Sequence, residues 1–504
     1  MVAPINKLKL LYFGNYLYTR KTSANLGGIS SAIFYVLCSS SHSLSNFSDR
    51  YSRFFPCSSA HFRLRGIAGI RNASCLFSTM LPFPKYPMCW LAAIFLWAVS
   101  CQTPPAREAE KLAWLKSSAV PVRSIEPADA DYTDLQFLKA EWKDVEIIGL
   151  GEQSHGDGST FLAKSRLIRF LQQEMGFRVL AFESGMLDGV LALQALENGV
   201  PVDSAFRLAM FKIWSHSRQV GALRRYAGQT PSPFVLPFVG FDCQFSGNLD
   251  AARRRDSIVQ FFRRYEPGFD TARYTLVWRA MTARGRKGQI RGDSLLQQQF
   301  FTEMDTLAGK IRRFALRNAR DSMLARGFME LKDFFYFTWK VNWNNPDPAI
   351  ANIRDSVMAE NVIWIKEQLF PGQKIILWAA NTHLGYRREL LKYPDGMIPM
   401  GDFLKKRYGD RYYTLSFTSR DGSFNSLQGG VKKAPPVSNK SLEYLLGQAA
   451  APYAYLRKKD LAAIPFENPF QARLYGYTNW YADWPKMTDG MFFISTMLPS
   501  EIEP

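Results

Sequence analysis

The 504-residue chain is 47% hydrophobic and 21% charged, which excludes a disordered or low-complexity protein and fits one large globular domain or little more. Its formal net charge of +19 would suit a nucleic-acid or anionic-surface partner, but +8 of it falls in Met1–Met80, where nine Lys and Arg face the single acid Asp49. The remainder is mildly basic, and Cys243, the one cysteine after Cys101, excludes a disulfide framework or a cysteine-type zinc site from the body.

Residues 1–79 are rich in Ser, Phe and Tyr without a sustained helical or alternating pattern, and read as a non-structural leader or as sequence ahead of a mis-assigned start. Residues 80–100 then have the layout of a signal peptide: Lys85 as a thin basic region, an apolar run from Trp90 to Val99, and small residues before Cys101. The run is short for a bilayer span. AVSC resembles a bacterial lipoprotein cleavage box, so the expectation is a mature chain from Cys101, tethered by a lipid on that residue and facing the periplasm or exterior of a bacterial envelope. A true membrane anchor or a buried apolar helix is the competing reading. Residues 101–125 read as a polar linker, and 126–504 as the catalytic-sized body.

The body begins with a predicted helix over Ala130–Trp142, followed by an apolar strand from Val145 to Leu150. That strand breaks at Gly151 into Glu152, Gln153, Ser154, His155 and Gly156, a tight polar loop, before a helix over Thr160–Met175. Phe161, Ile168, Leu171 and Met175 share one helix face. Lys164 lies within that face, so it either snorkels outward or points at a carboxylate near the loop, whereas Arg166 and Arg169 fall on the polar side and are expected in solvent.

Three further apolar runs end the same way. Arg178–Phe182 leads into Glu183, Phe234–Phe241 into Asp242, Cys243 and Gln244, and Lys374–Ala379 into Ala380, Asn381, Thr382 and His383. Strand, helix and returning strand form a right-handed parallel unit, and ligands of open α/β sheets bind at the carboxyl ends of the strands. The fold predicted is therefore α/β, a mainly parallel central sheet flanked by helices, with a helical insertion over 250–345. The arginines of that insertion alternate with Asp256, Glu266, Asp270 and Asp293, which reads as solvated helix faces and not as a nucleic-acid surface. A helix is predicted over Arg354–Glu367 and late strands over Tyr412–Thr418 and Met491–Thr496, with the Pro- and Tyr-rich stretch between those strands read as loop. There is no phosphate-binding Gly-rich loop, no GxSxG elbow and no HExxH.

GEQSHG, the strand-end Glu183, GFDCQ at Gly240–Gln244, RDSVMAEN at Arg354–Asn361, WAANTHLG at Trp378–Gly385 and PMGDFLKKRYGDRYY at Pro399–Tyr413 occur in an order that resembles the erythromycin esterase family, over about Val145 to Phe417. The resemblance implies an α/β fold with a helical part and hydrolytic opening of a macrolide lactone. It places the general base on His155, the acid of the same motif on Glu152, the strand-end acid on Glu183, a second histidine on His383 and a basic helix residue on Lys164. The chain departs from the family at Ala380, where macrolide-opening members tend to carry His, and at Lys164, where they commonly carry Arg; both departures bear on the macrolide more than on hydrolysis.

Ester hydrolysis needs a base for water, donors for the oxyanion and an acid for the leaving alkoxide. Imidazole titrates near neutral pH, so His155 suits the base, with Glu152 or Glu183 orienting it. His383 completes the catalytic candidates, while Lys164, Asp242, Gln244 and Asn381 are expected on the substrate side. Lys164, His383 or loop amides are open alternatives for the oxyanion. A small-molecule ester or lactone is the expected partner, and no cofactor is required. Two readings compete: a divalent metal held by Glu152, His155, Glu183 and His383, and a lipoprotein that binds a small molecule without transforming it.

Overall fold

The computed structural model describes residues 104–503 apart from 229–235, 248, 283–287 and 428. The leader, the signal-like segment and Cys101 lie outside the described residues. Among the described residues, no helix is long and apolar enough to cross a membrane.

The chain folds as a mixed α/β structure around one sheet. Its strands are β1 (Val120–Pro121), β2 (Ile147–Leu150), β3 (Phe177–Gly185), β4 (Phe238–Asp242), β5 (Lys374–Trp378), β6 (Tyr412–Asn425), β7 (Val431–Lys433), β8 (Tyr453–Leu456) and β11 (Gly490–Met497), with β9 (Phe470–Ala472) and β10 (Trp480–Ala482) forming a separate hairpin. The order across the sheet is β1-β8-β11-β6-β2-β5-β3-β4, with β7 paired to the far end of β6. From β11 to β4 every neighbouring pair is parallel; β8 runs antiparallel to β11 and to β1.

Parallel strands need crossover connections, and these put helices on both faces, so the strands must be apolar on both sides. β2 meets that requirement with all four residues buried. Ile147, Val179, Val239 and Ile375 face one core, shared with the helices of the insertion; Ile148, Leu180, Phe238 and Ile376 face the other, shared with the helix Gly158–Met175. Each such side chain contributes about 1.5–3 kcal/mol when fully buried. The helix Gly158–Met175 stops at Gly176, whose φ of 73° closes its last turn in the left-handed region.

Register aligns the strand ends. Leu150 pairs with Trp378, Trp378 with Phe182, and Phe182 with Gly240, so the chain leaves four adjacent strands along one line. Between Phe182 and Gly185 the pairing with β4 slips, because three steps on β3 answer two on β4, and this irregularity falls at Glu183 and Ser184. Such bulges re-aim side chains at functional edges.

Several expectations are corrected. The stretch 101–125 is not a free linker: Pro104–Ser118 is a helix whose Leu115 is buried against Leu442 and Leu446, and Val120–Pro121 is an edge strand. Ala130–Trp142 is reduced to short helical turns at Thr133–Leu135 and Leu138–Glu141. The stretch between β6 and β11 carries β8, the β9–β10 hairpin and the helix Leu442–Ala449, where only loop was expected. Arg166 is buried, its guanidinium forked onto Asp134 at 2.8 and 2.9 Å, because that pair ties the helix to the segment before β2.

Candidate functional site

The loop after β2 is held by close backbone approach. A Cβ at Gly151 would lie 1.8 Å from Asn381 Oδ1, and one at Gly156 would lie 1.8 Å from the carbonyl oxygen of Asn425. Glycine is the residue that fits both. Gly156 accepts from the amides of Asn425 and Ser500, and Asp157 receives the Ser154 amide at 2.9 Å and the Tyr477 hydroxyl at 2.8 Å. Burial pushes the Asp157 carboxyl up to about 7.

Within this frame His155 is fixed by its Nδ1, 2.7 Å from Glu152 Oε1. Glu152 is fully buried and takes two further donors, Trp214 Nε1 on Oε1 at 3.1 Å and Lys164 Nζ on Oε2 at 2.8 Å. The indole of Trp214 also stands edge-to-face on the imidazole, with ring centroids 5.3 Å apart. Burial alone would raise Glu152, but Lys164 and His155 outweigh it and hold the carboxyl below its usual value. Burial drives the Lys164 amine down to about 8, with Glu152 opposing the fall, and the amine packs 4.1 Å over the Trp378 ring.

Across the cleft, His155 Nε2 faces Glu183 Oε1 at 4.0 Å. That oxygen is shared: Arg354 Nη2 donates to it at 2.7 Å, and His383 Nε2 lies 3.3 Å away. The backbone amide of Ala380 donates to Oε2 at 3.0 Å. Burial favours a neutral Glu183, yet His383, His155 and Arg354 together hold it well below the ordinary carboxylate range. His155 is lowered by burial and raised more strongly by Glu183 and Glu152, so its net shift is upward. Its side chain is 22% exposed and that of His383 16%, against 3% for Glu183, so the imidazoles line the opening and the carboxylate forms the floor.

His383 has its own carboxylate. Its Nδ1 lies 2.7 Å from Asp355 Oδ1, which also receives the Met400 amide at 2.9 Å. Burial lowers this imidazole, but Asp355 and Glu183 prevail and raise it to about 10. Arg354, the preceding residue on the helix Pro348–Trp364, is anchored by Asp242, with Nη2 2.6 Å from Oδ2. Its Nη1 sits 3.1 Å from His383 Nε2, the consequence of two cations converging on one oxygen of Glu183.

The ends of β2, β3 and β5 thus bring Glu152, His155, Glu183 and His383 together, and the end of β4 adds Asp242 behind Arg354. Three residues expected on the substrate side turn out to hold the others in place. Lys164 is fully buried against Glu152, and Asp242 is buried against Arg354. Asn381 spends its amide on the carbonyls of Phe417 and Leu474 and its carbonyl on the Phe417 amide. Gln244 is half-buried and donates to Asp242 Oδ2 at 3.0 Å. Trp214, Arg354 and Asp355 were not singled out from the sequence as site residues. For the last two a signal existed, the RDSVMAEN stretch that carries them.

For a divalent metal, among the described residues no group of three or more His, Cys, Asp and Glu side chains is placed to share an ion. The Arg354 guanidinium lies against Glu183 Oε1 and His383 Nε2, where a cation bridging those atoms would have to sit.

The erythromycin esterase family model matches residues 172–499. A Bacillus subtilis (strain 168) protein named "Putative hydrolase YbfO" is 24% identical over 434 residues, covering 77% of this chain and 91% of its own length. An Escherichia coli protein, erythromycin esterase type II, is 22% identical over 341 residues, covering 61% of this chain and 77% of its own. Among solved structures, a mutant of the erythromycin esterase EreC in its open conformation superposes with a TM-score of 0.61 at 16% identity, over 75% of this chain and 97% of that one. A structure titled as a succinoglycan biosynthesis protein gives a TM-score of 0.63 at 20% identity, over 79% and 99%. At these identities the solved structures establish the fold.

Proposed function

The chain belongs to the erythromycin esterase family and is a hydrolase, and on that premise we propose that it cleaves an uncharged carboxylic ester or lactone by attack of a water molecule that His155 deprotonates. The observation that carries this reading is the pairing of Glu152 Oε1 with His155 Nδ1 at 2.7 Å, with Nε2 turned toward Glu183. The carboxylate holds the Nδ1–H tautomer and leaves Nε2 as the free base. The 4.0 Å between Nε2 and Glu183 Oε1 is too long for a direct hydrogen bond. It admits one water about 2.8 Å from each atom, oriented by Glu183 and deprotonated by His155. The positive charge of Arg354 lies beyond Glu183, where it favours the negative charge that develops in the transition state.

The charge pairing favours a neutral substrate. Lys164 is paired with Glu152, Arg354 with Glu183 and Asp242, and His383 with Asp355. A phosphate or carboxylate substrate would have to displace one of these partners at a buried site. A macrolide lactone is one member of the class. From the AVSC box at Cys101 alone we further propose that a lipid on that residue holds the enzyme at the bacterial envelope, which mass analysis of the native amino terminus checks.

The test is product analysis with the full-length protein on a panel of lactones and acylated alcohols, set against phosphate monoesters. Hydroxy acid, or acid plus alcohol, is the expected product. Turnover of phosphate monoesters with every carboxylic ester left intact would overturn the reading.

A further inference from the structure

The site contains two carboxylate–imidazole pairs of the same construction. In each, a carboxylate oxygen lies 2.7 Å from Nδ1, Glu152 for His155 and Asp355 for His383, and in each Nε2 is directed at Glu183 Oε1, at 4.0 and 3.3 Å. Ester hydrolysis by water requires two proton transfers of opposite sense, one away from the nucleophile and one onto the departing alkoxide. One pair cannot meet both needs at once without passing the same proton across the tetrahedral intermediate.

Resting on the esterase reading above, we propose that His383 is the general acid that protonates the leaving alkoxide and that Asp355 is the positioning residue that aims its Nε2–H into the cleft. Asp355 suits that task because its Oδ1 is pinned by the Met400 amide at 2.9 Å, so the carboxylate cannot swing away from the ring. The Met400 amide opens the helix Met400–Tyr408, which packs on the helix bearing Asp355, so the contact is between two rigid elements. Arg354 reinforces the arrangement from the adjacent position by locking Glu183 in front of both imidazoles.

The proton balance closes. The water gives one proton to His155 Nε2 and its oxygen bonds to the acyl carbon. The tetrahedral intermediate collapses with cleavage of the carbon–oxygen bond to the alcohol, and the alkoxide takes the proton of His383 Nε2. The enzyme is then left with His155 protonated and His383 neutral. Both imidazoles line the opening, at 22% and 16% exposure, so His155 releases its proton to solvent and His383 regains one from it, and the acid product loses its own proton to solvent. No oxidant, metal or second reactant is needed.

Leaving-group dependence separates this role from a structural one. An alkoxide needs protonation, whereas p-nitrophenolate departs without it. In Asp355→Asn the amide oxygen still accepts from His383 Nδ1 and from Met400, so geometry is kept and the charge is lost. Turnover of an alkyl ester should fall about 100-fold, at least tenfold more than that of the p-nitrophenyl ester of the same acid, which loses only the charge beside Glu183. His383→Gln should show the same split, and Asp355→Asn added to His383→Gln should cost nothing further. Equal losses on both esters, or none on either, in a variant with the wild-type melting temperature would overturn the assignment. Should one variant fail to fold, the other carries the same comparison. Wild-type protein inert toward both esters would overturn the esterase reading and this inference with it, an outcome distinct from a wild type that is active but lacks the leaving-group split in its variants.

Discussion

Lys164→Met removes the cation beneath the proposed base and keeps nearly the same length of chain. Lys164 and Glu152 are both fully buried and 2.8 Å apart, so the substitution leaves a carboxylate in the core with His155 and Trp214 as its remaining donors. Breaking one partner of a buried ion pair costs about 3–5 kcal/mol, because the surviving charge is no longer compensated. The urea midpoint of the variant should fall accordingly, and turnover with it, since Glu152 would be raised toward its neutral form and would release the Nδ1 proton of His155. The second arm is Glu152→Gln combined with Lys164→Met, which removes both charges. The double variant should recover most of the lost stability and none of the activity. A Lys164→Met protein with the wild-type urea midpoint, or a double variant no more stable than Lys164→Met, would refute the placement of Lys164 as the counter-charge of Glu152.

Further outcomes follow from the same geometry. The pH dependence of kcat/KM on a neutral ester should rise with pH through a value above that of an ordinary histidine, because the base must be unprotonated and Glu183 and Glu152 raise His155 against the effect of burial; a flat profile between pH 6 and 8 contradicts this. Trp214→Phe keeps the ring and deletes one donor to Glu152, a hydrogen bond to a charged group worth about 1.5–3 kcal/mol. Its kcat/KM should fall by about 10- to 100-fold with the helix Arg218–Gly228 intact by hydrogen exchange, and an unchanged kcat/KM would remove Trp214 from the site. Glu330 is buried beside Asn361, and burial raises it to about 8. A carboxyl raised on folding contributes stability that is fully present below its unfolded value near 4.3 and is lost as pH rises through the folded value, so denaturant stability should decline from about pH 4 to 8. Glu330→Gln should flatten part of that decline, and an unaltered slope contradicts it.

Much of the site was legible because strand ends are. An apolar run that breaks abruptly into Glu, Asp, Asn or His marks where a parallel strand leaves the core, and β2, β3, β4 and β5 all end that way. Lys164 was legible as one of two outcomes, since a cation inside an apolar helix face must either reach out or find an acid. Arg166 was misread because its partner Asp134 lies 32 positions earlier, and the pattern of a helix face does not show a long-range ion pair. Asp355 and Arg354 were missed as site residues because they sit in a helix, where a charged residue ordinarily faces solvent and nothing local shows which turn points at a cleft. The segment Pro104–Ser118 read as linker on its prolines and charges; proline is well tolerated in the first turn of a helix, and Leu115 anchors the element by a contact with residues more than three hundred positions away. β8, β9 and β10 are three- and four-residue strands whose pairing is set by tertiary context rather than by alternation.

Hydrolysis by direct attack of water requires His155 as the group that deprotonates it. Steady-state turnover of His155→Ala on an ester that the wild-type protein hydrolyses measures this directly: kcat/KM should drop by about 100- to 10,000-fold with the melting temperature preserved. A His155→Ala protein that turns over the same ester within a few-fold of wild type would contradict it.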